Sequence, residues 1–296
     1  MPSEGNNNLR LAVLMTCHNR VVDTRACLEA LRRQESYDGS IELVLTDDGS
    51  NDGTGQAASE IFPGATIING DGNLYWCGGM RTAFARAIQS NYDFYLWLND
   101  DTRIDRDAIA RICKTYREAS KTLGESLIVI GSTQDQDSNQ MSYGGWRLER
   151  GKLGTISWDK TQPHPNKWIY CDAMNGNFIL IPRAVVERNG NLDEAFTHGM
   201  GDLDYGLRAK SAGCSIIIAP GYFGVCKAND GAGLWSDQSQ PAMQRWRKML
   251  GPKGLPLREW RVFTRRHGGL YWPLLWLGPY IKFWINALLT GLGNEK

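Results

Sequence analysis

Near-continuous apolar runs alternate with helix-period stretches over the first hundred residues, and this alternation limits the folds open to the chain more than any other feature. Leu11–Met15, Ile41–Leu45, Thr66–Ile68 and Phe94–Leu98 lack the in-out polarity of a half-exposed strand. They read as strands buried on both faces, as a parallel sheet requires. Between them, residues 24–34 and 77–90 read as helices, with Met80, Phe84, Ala87 and Ile88 on one face. A further helix from about residue 105 shows Ile109, Ile112, Cys113 and Tyr116 on one face, and Gly124 is placed to end it. This βαβαβ order predicts a doubly wound α/β half that binds ligands at the carboxyl ends of its strands.

Beyond residue 124 the pattern loosens. Leu127–Ile130, Phe178–Ile181 and Ser215–Ala219 read as strands, residues 132–170 show little periodicity, and a helix is expected over 202–212 before Gly213. Seven cysteines without a CxxC pair argue against a zinc ribbon or disulfide framework and predict reduced thiols in the cytosol. The polar start, MPSEGNNNLR, carries no signal-peptide apolar core.

Two acidic segments follow predicted strands. Thr46-Asp47-Asp48-Gly49-Ser50-Asn51-Asp52-Gly53-Thr54 places carboxylates where a nucleobase or ribose can be hydrogen-bonded, beside glycines that let the backbone turn. A calcium loop is excluded, since Ser59 stands where a bidentate Glu is needed, and a plain Asp/Gly turn is the alternative. Leu96-Trp97-Leu98-Asn99-Asp100-Asp101-Thr102 ends a hydrophobic strand in adjacent carboxylates. A divalent cation bridging them to a diphosphate would relieve their repulsion. The competing role is a cap for the next helix, for which Asp105 and Asp107 are better placed.

The ordered set Thr16-x-His18-Asn19-Arg20, DDGSNDGT, Gly72-Asn73-Leu74-Tyr75-Trp76-Cys77-Gly78-Gly79-Met80-Arg81 and LNDDT resembles family 2 glycosyltransferases of the GT-A fold. The likeness is to bacterial rhamnosyltransferase-like enzymes of surface polysaccharide synthesis, such as that of O-antigen. It continues through Asn175-Gly176-Asn177-Phe178 and Gly201-Asp202-Leu203-Asp204-Tyr205-Gly206-Leu207-Arg208. The resemblance implies a mixed, mainly parallel α/β sheet flanked by helices. It places Thr16, Asn19, Arg20, Asp47 and Asp48 on the nucleotide, and Asn73, Gly78, Gly79, Met80 and Arg81 on the donor's ribose or sugar. Asn99-Asp100-Asp101 is the counterpart of the family's DxD motif, with Asp100 on the donor and Asp101 as ligand to Mg2+ or Mn2+. Asp202 matches the Asp of the family's Glu-Asp pair, the general base of an inverting transfer, although Gly201 replaces the Glu. Trp146, Asn175, Gly176 and His198 are the acceptor-side candidates. Trp146 could stack on a sugar or simply pack in the core, and Asp204 with Arg208 reads as a helix-surface pair.

The charge is unevenly placed. Residues 245–267 hold eight Lys/Arg against one acid, Glu259, while the rest of the chain carries 25 basic and 31 acidic residues. This basic stretch leads into an apolar one in which Trp272, Trp276, Tyr280 and Trp284 recur every four residues. The combination predicts a segment lying on an anionic membrane surface, over about 245–290. The acidic body argues against nucleic acid as partner. The expected organisation is a catalytic domain over 1–244, with a nucleotide-sugar half to about 124, and a membrane-associating tail over 245–296. Together these readings predict a hexosyltransferase, peripheral on the inner face of the cell membrane, that uses a UDP- or dTDP-sugar and a polyprenyl-diphosphate-linked glycan. A sugar-nucleotide pyrophosphorylase fits less well, because the Thr16–Arg20 loop lacks glycine. A catalytically silent sugar-nucleotide-binding protein is the other reading, motivated by Asn99 and Gly201.

Overall fold

A computed structural model describes residues 9–150, 156–228 and 233–293. The polar start read above, over 1–8, lies outside them. In chain order the first elements are β1 (Leu9–Cys17), α1 (Val21–Arg32), β2 (Gly39–Asp47), α2 (Thr54–Ile61), β3 (Thr66–Asn69), α3 (Tyr75–Ile88), β4 (Phe94–Leu98), β5 (Arg103–Ile104) and α4 (Ala108–Leu123). There follow β6 (Leu127–Gln134), β7 (Met141–Tyr143), β8 (Gly145–Arg150), β9 (Ile156–Thr161), β10 (Ile169–Tyr170), β11 (Ala173–Met174), β12 (Phe178–Pro182) and α5 (Arg183–Asn189). The chain continues through α6 (Gly201–Ser211), β13 (Ser215–Val225), α7 (Ala242–Leu250), α8 (Leu257–His267) and α9 (Trp272–Gly293).

The main sheet runs β10-β13-β6-β12-β4-β1-β2-β3. β1, β2, β3 and β4 are mutually parallel, and β12 is the antiparallel strand between β4 and β6. The same sheet therefore continues across residue 125. Alternation along β1 explains the layering: Leu11, Val13 and Met15 pack with Leu28, Ile109 and Ile112, whereas Ala12 and Leu14 pack with Met80, Phe84 and Tyr205. Both faces are covered by helices, which is why the strands could be apolar throughout. Gly79 lets α3 sit directly on β1, since a Cβ there would collide with the Thr16 side chain. All seven cysteines are buried and free.

The loosely patterned stretch after β7 holds a small second sheet, β11-β8-β9. Its signal was a period of two: Trp146, Leu148 and Trp158 share the face that packs on the core, with polar residues between them.

One buried carboxylate helps to dock α8 on α6. Asp204 on α6 is fully buried and accepts hydrogen bonds from Arg208 Nε (2.8 Å), Arg266 Nη1 (2.7 Å) and His267 Nε2 (2.9 Å). It is thus more than half of a helix-surface pair. Burial alone would raise this carboxyl, but the hydrogen bonds from His267 and Arg208 outweigh it and hold it below its ordinary value. Asp204→Ala leaves three donors facing a void, so an expected loss of about 3–5 kcal/mol follows. Thermal unfolding at pH 7 checks this, and an unchanged melting temperature would remove Asp204 from that role. A depressed carboxyl contributes stability that is lost only as pH falls through its folded value. The wild-type advantage over the variant therefore begins to shrink only below about pH 4.

Tyr280 and Phe283 of α9 face inward, while Trp284 stays partly exposed. Tyr280 and Phe283 are buried with Met249, and Trp246 of α7 packs on Tyr280, Phe283 and Trp284. Trp276 Nε1 donates to Leu257 O (3.1 Å), and Tyr280 OH to Leu255 O (2.8 Å). Outward stands a second stripe, Leu274, Leu277, Ile281, Ile285 and Leu288, each exposed. Its spacing of three and four is that of a single helical face. No described helix is long and apolar enough to cross a membrane.

Candidate active site

The carboxyl ends of β1, β2 and β4 converge, and their loops are stitched to one another. Asn19 N–H donates to Ser50 Oγ, Asn51 N–H to Asn19 Oδ1, and Val21 N–H to Asp52 Oδ2. Asp48, buried at the end of β2, accepts from the backbone N–H groups of Gly72, Leu74 and Tyr75 at 2.9–3.0 Å. Its carboxylate thereby fixes the loop that opens α3 and satisfies donors left free at that helix start. Asp47 accepts from Ser50 N–H (3.0 Å), and Thr16 Oγ1 donates to Thr46 O (3.2 Å).

Asn99, Asp100 and Asp101 leave the end of β4 together and face a cleft of about 510 Å3. That lies within the range, about 300–1,000 Å3, usual for small-molecule sites. Arg20 bridges the two acids, at 3.4 Å from Asp100 Oδ1 and 3.0 Å from Asp101 Oδ2. Burial, opposed by Arg20 and assisted by the Asp101 charge, pushes the Asp100 carboxyl up to about 7. Asn99 Oδ1 accepts from the Trp76 indole N–H (2.8 Å), which fixes its amide.

Across the cleft, Asp202 sits in the first turn of α6 and accepts from Gly176 N–H (2.9 Å) and its neighbour Leu203 N–H (2.8 Å). Burial raises its carboxyl above the ordinary value, with those hydrogen bonds and one to the Asn175 side chain pulling the other way. Gly201 admits no side chain, because a Cβ would strike Cys77 Sγ. A glutamate therefore cannot stand before Asp202 in this packing.

The structure brings Arg20, Asn99, Asp100, Asp101, Asn175, Gly176, His198 and Asp202 to this one cleft. Tyr143, Asn177, Met200 and Lys253 also line it, as does Trp76. Trp76 lies inside the 72–81 motif, but only its indole bond to Asn99 shows what it does. Trp146 is not on the cleft wall. Its N–H donates to Asn175 Oδ1 (2.8 Å), which leaves the Asn175 amide N–H groups to face Asp202. Met80 is a core residue, and Arg81 pins the Asp193 and Phe196 carbonyls, so neither reaches the cleft. Gly78 and Gly79 are buried where α3 meets the sheet, and Asn73 is exposed on the loop beyond Asp71. Burial, with Lys253 nearby, pushes the His198 imidazole down to about 4, so it is neutral at physiological pH.

For a divalent cation the protein offers little by itself: no cluster of three acid, His or Cys groups suited to a metal occurs among the described residues. Asp101 is a single carboxylate, partly exposed at the cleft. That donor set fits a cation whose remaining positions are filled by substrate phosphate and water, the habit of Mg2+.

The sheet architecture is of the GT-A type. The structure of the mannosyltransferase PcManGT from Pyrobaculum calidifontis, in complex with GDP-Man and Mn2+, superposes with a TM-score of 0.56 at 18% identity, covering 97% of this chain and 76% of that one. GalNAc-T7 with UDP, GalNAc and Mn2+ gives a TM-score of 0.56 at 14% identity over 73% of this chain and 42% of its own. S. aureus TarS gives 0.55 at 12% identity over 88% and 44% respectively. The chain spans less than half the length of those last two proteins. No curated protein matches its sequence. The model of Glycosyl transferase family 2 matches residues 12–175, more than half of the sequence and including every strand end described above up to Asn175; the chain belongs to that family.

Proposed function

We propose that the protein transfers a sugar, with inversion, from a nucleotide-diphospho-sugar to a hydroxyl of a polyprenyl-diphosphate-linked glycan in bacterial surface polysaccharide synthesis. One observation carries this: a single cleft joins the Asn99-Asp100-Asp101 end of β4 to the carboxylate of Asp202. The GDP-Man held by PcManGT and the UDP and GalNAc held by GalNAc-T7 support the donor class. We assign residues 1–244 to catalysis and 245–296 to the membrane.

In this reading the donor lies over the loops after β1 and β2, oriented by Arg20, Asn19 and the α3 loop that Asp48 holds. Asp101 is the residue that would hold Mg2+ or Mn2+, which when bound would neutralise charge on the departing diphosphate. Arg20, already between Asp100 and Asp101, is placed to contribute positive charge beside the same diphosphate. Asp202 takes the proton of the acceptor hydroxyl as that oxygen attacks the anomeric carbon from the face opposite the diphosphate. Trp146 and Asn175 hold Asp202 in register, and neutral His198 and Gly176 border the acceptor.

The exposed α9 stripe and the basic helices beside it support attachment to an anionic leaflet. Arg247, Arg258 and Arg265 are exposed and make no ion pair among the described residues, while the one acid of the segment, Glu259, is buried against Thr197 N–H. Such placement suits a peripheral protein at the inner face of the cell membrane.

Melting the protein with UDP, dTDP, GDP or CDP, each with Mn2+ and then with chelator, tests the donor site. One diphosphate at 100 times its Kd is expected to add about 2.7 kcal/mol of stability. The single protein carboxylate makes this shift metal-dependent, and Asp101→Ala is expected to abolish it. If no diphosphate stabilises the protein under either condition, the donor site is not there.

A further inference from the structure

An apolar slot of about 270 Å3 lies between α8, α9 and β9, walled by Trp158, Trp260, Phe263, Leu275 and Pro279. It exceeds the roughly 150 Å3 of an apolar cavity that accepts benzene. Two of its polar side chains are already engaged. The Trp260 indole N–H donates to Leu275 O (3.2 Å), and Thr264 Oγ1 to Trp260 O (2.8 Å). The walls are flat, with the Trp260 and Phe263 rings stacked at 5.6 Å and 12°. Gly278 widens the slot, since no atom lies within 4 Å of where its Cβ would be.

Two features fix where the slot leads. Leu274 lines it and is also 68% exposed on the outer stripe, so the slot opens on the surface proposed to meet the membrane. At the other side, Glu259, next to Trp260 on α8, accepts from Thr197 N–H (3.2 Å), and Thr197 adjoins His198 in the cleft wall. One helix thus connects the slot to the acceptor side of the cleft.

We infer that this slot takes a stretch of the isoprenoid chain of the acceptor's lipid carrier. The inference rests on the reading of the acceptor as polyprenyl-linked. A bulk phospholipid chain gains little by leaving one apolar environment for another. A chain covalently joined to the reacting glycan gains more, because holding it raises the effective concentration of the acceptor at the cleft. The bay at Gly278, open where a Cβ would stand, leaves room for a branched chain.

The test uses the full chain on phosphatidylglycerol-containing vesicles with a benzophenone-bearing farnesyl phosphate, and adducts are mapped by peptide mass spectrometry. Adducts are expected within residues 257–279. Gly278→Phe, whose ring fills the bay without a backbone clash, is expected to reduce them at least tenfold, with Gly278→Leu intermediate. Vesicle sedimentation and the nucleoside-diphosphate melting shift are expected to stay at wild-type values, which also shows that the variants fold. Equal labelling of wild type and Gly278→Phe overturns the inference. So do adducts confined to Ile281, Ile285 and Leu288, or displacement of the probe by excess phosphatidylglycerol as effectively as by unlabelled farnesyl phosphate. Absence of labelling in the wild type, with its nucleotide shift intact, removes the slot alone. Labelling without any nucleotide shift removes the donor site and leaves the slot standing.

Discussion

Asp202→Asn is expected to lower glycosyl transfer by about 10²–10⁴-fold, the usual contribution of a positioned proton acceptor. Asparagine keeps the shape and one oxygen to accept the Gly176 or Leu203 N–H, so the change removes basicity more than structure. Donor binding should survive, because the loops proposed to hold the nucleotide are built from β1, β2 and β4 on the far side of the cleft. The melting shift with nucleoside diphosphate and metal is therefore expected to match wild type, and the loss to fall on turnover. Near-normal transfer by the variant would take Asp202 out of the base role. Equal, negligible turnover of variant and wild type on every donor and acceptor would favour a silent binding protein instead. The pH profile offers an independent check. Burial raises the Asp202 carboxyl, and only the ionised form can accept the proton. Activity should thus fall, as pH is lowered, at a value above the ordinary carboxylate pKa of about 3.9. This limb should be absent from the residual activity of Asp202→Asn.

The halves of this site differ in how far the sequence disclosed them. β1 and β4 were legible because burial on both faces leaves no polar alternation, and the acids that end β2 and β4 follow those runs directly. Asp202 was marked by the family resemblance, whereas its place in a helix's first turn, where an acid is favoured anyway, offered a merely structural role. What Asp48 does was not legible. A carboxylate at a strand end suits a ribose hydroxyl and three backbone N–H groups equally well, and residues 72–75 approach it only in the folded chain. The bond from Trp146 to Asn175 spans 29 positions, from β8 to the residue that follows its paired strand β11, and no local period encodes it. Gly201 read as a lost acid; the Cys77 sulfur beside it shows a position with no room for one. In α9, two apolar faces share one helix. A repeat of four follows the tryptophans and a three-four repeat follows Leu and Ile, and periodicity alone cannot say which face the protein keeps for itself.

That ambiguity makes the outer stripe the second decisive test. Ile281, Ile285 and Leu288 are 56%, 52% and 65% exposed and lie beyond the slot. Fully burying such a side chain contributes about 1.5–3 kcal/mol, and these, already partly covered, retain roughly half of that to gain. Replacing all three by Asp forfeits that gain and adds repulsion from an anionic leaflet. Partition to phosphatidylglycerol vesicles is therefore expected to fall about 10³-fold or more, at about 1.4 kcal/mol per decade. The melting temperature should barely move, because the aromatic face that packs on Trp246 is untouched. Trp276→Ala should behave oppositely, lowering stability through lost packing and through the vacated Leu257 carbonyl. Binding by the wild type should also weaken with salt, since Arg247, Arg258 and Arg265 face solvent and their attraction to lipid is screened within about 8 Å at physiological ionic strength. Cosedimentation of the triple variant at wild-type levels would show that the stripe is not the attachment surface. A wild type that ignores vesicles but self-associates, and a triple variant that stays monomeric, would assign the stripe to a second copy of the chain. The catalytic cleft would be unaffected by that result. The isoprenoid slot would then open on protein, and its proposed occupant would lose its route in.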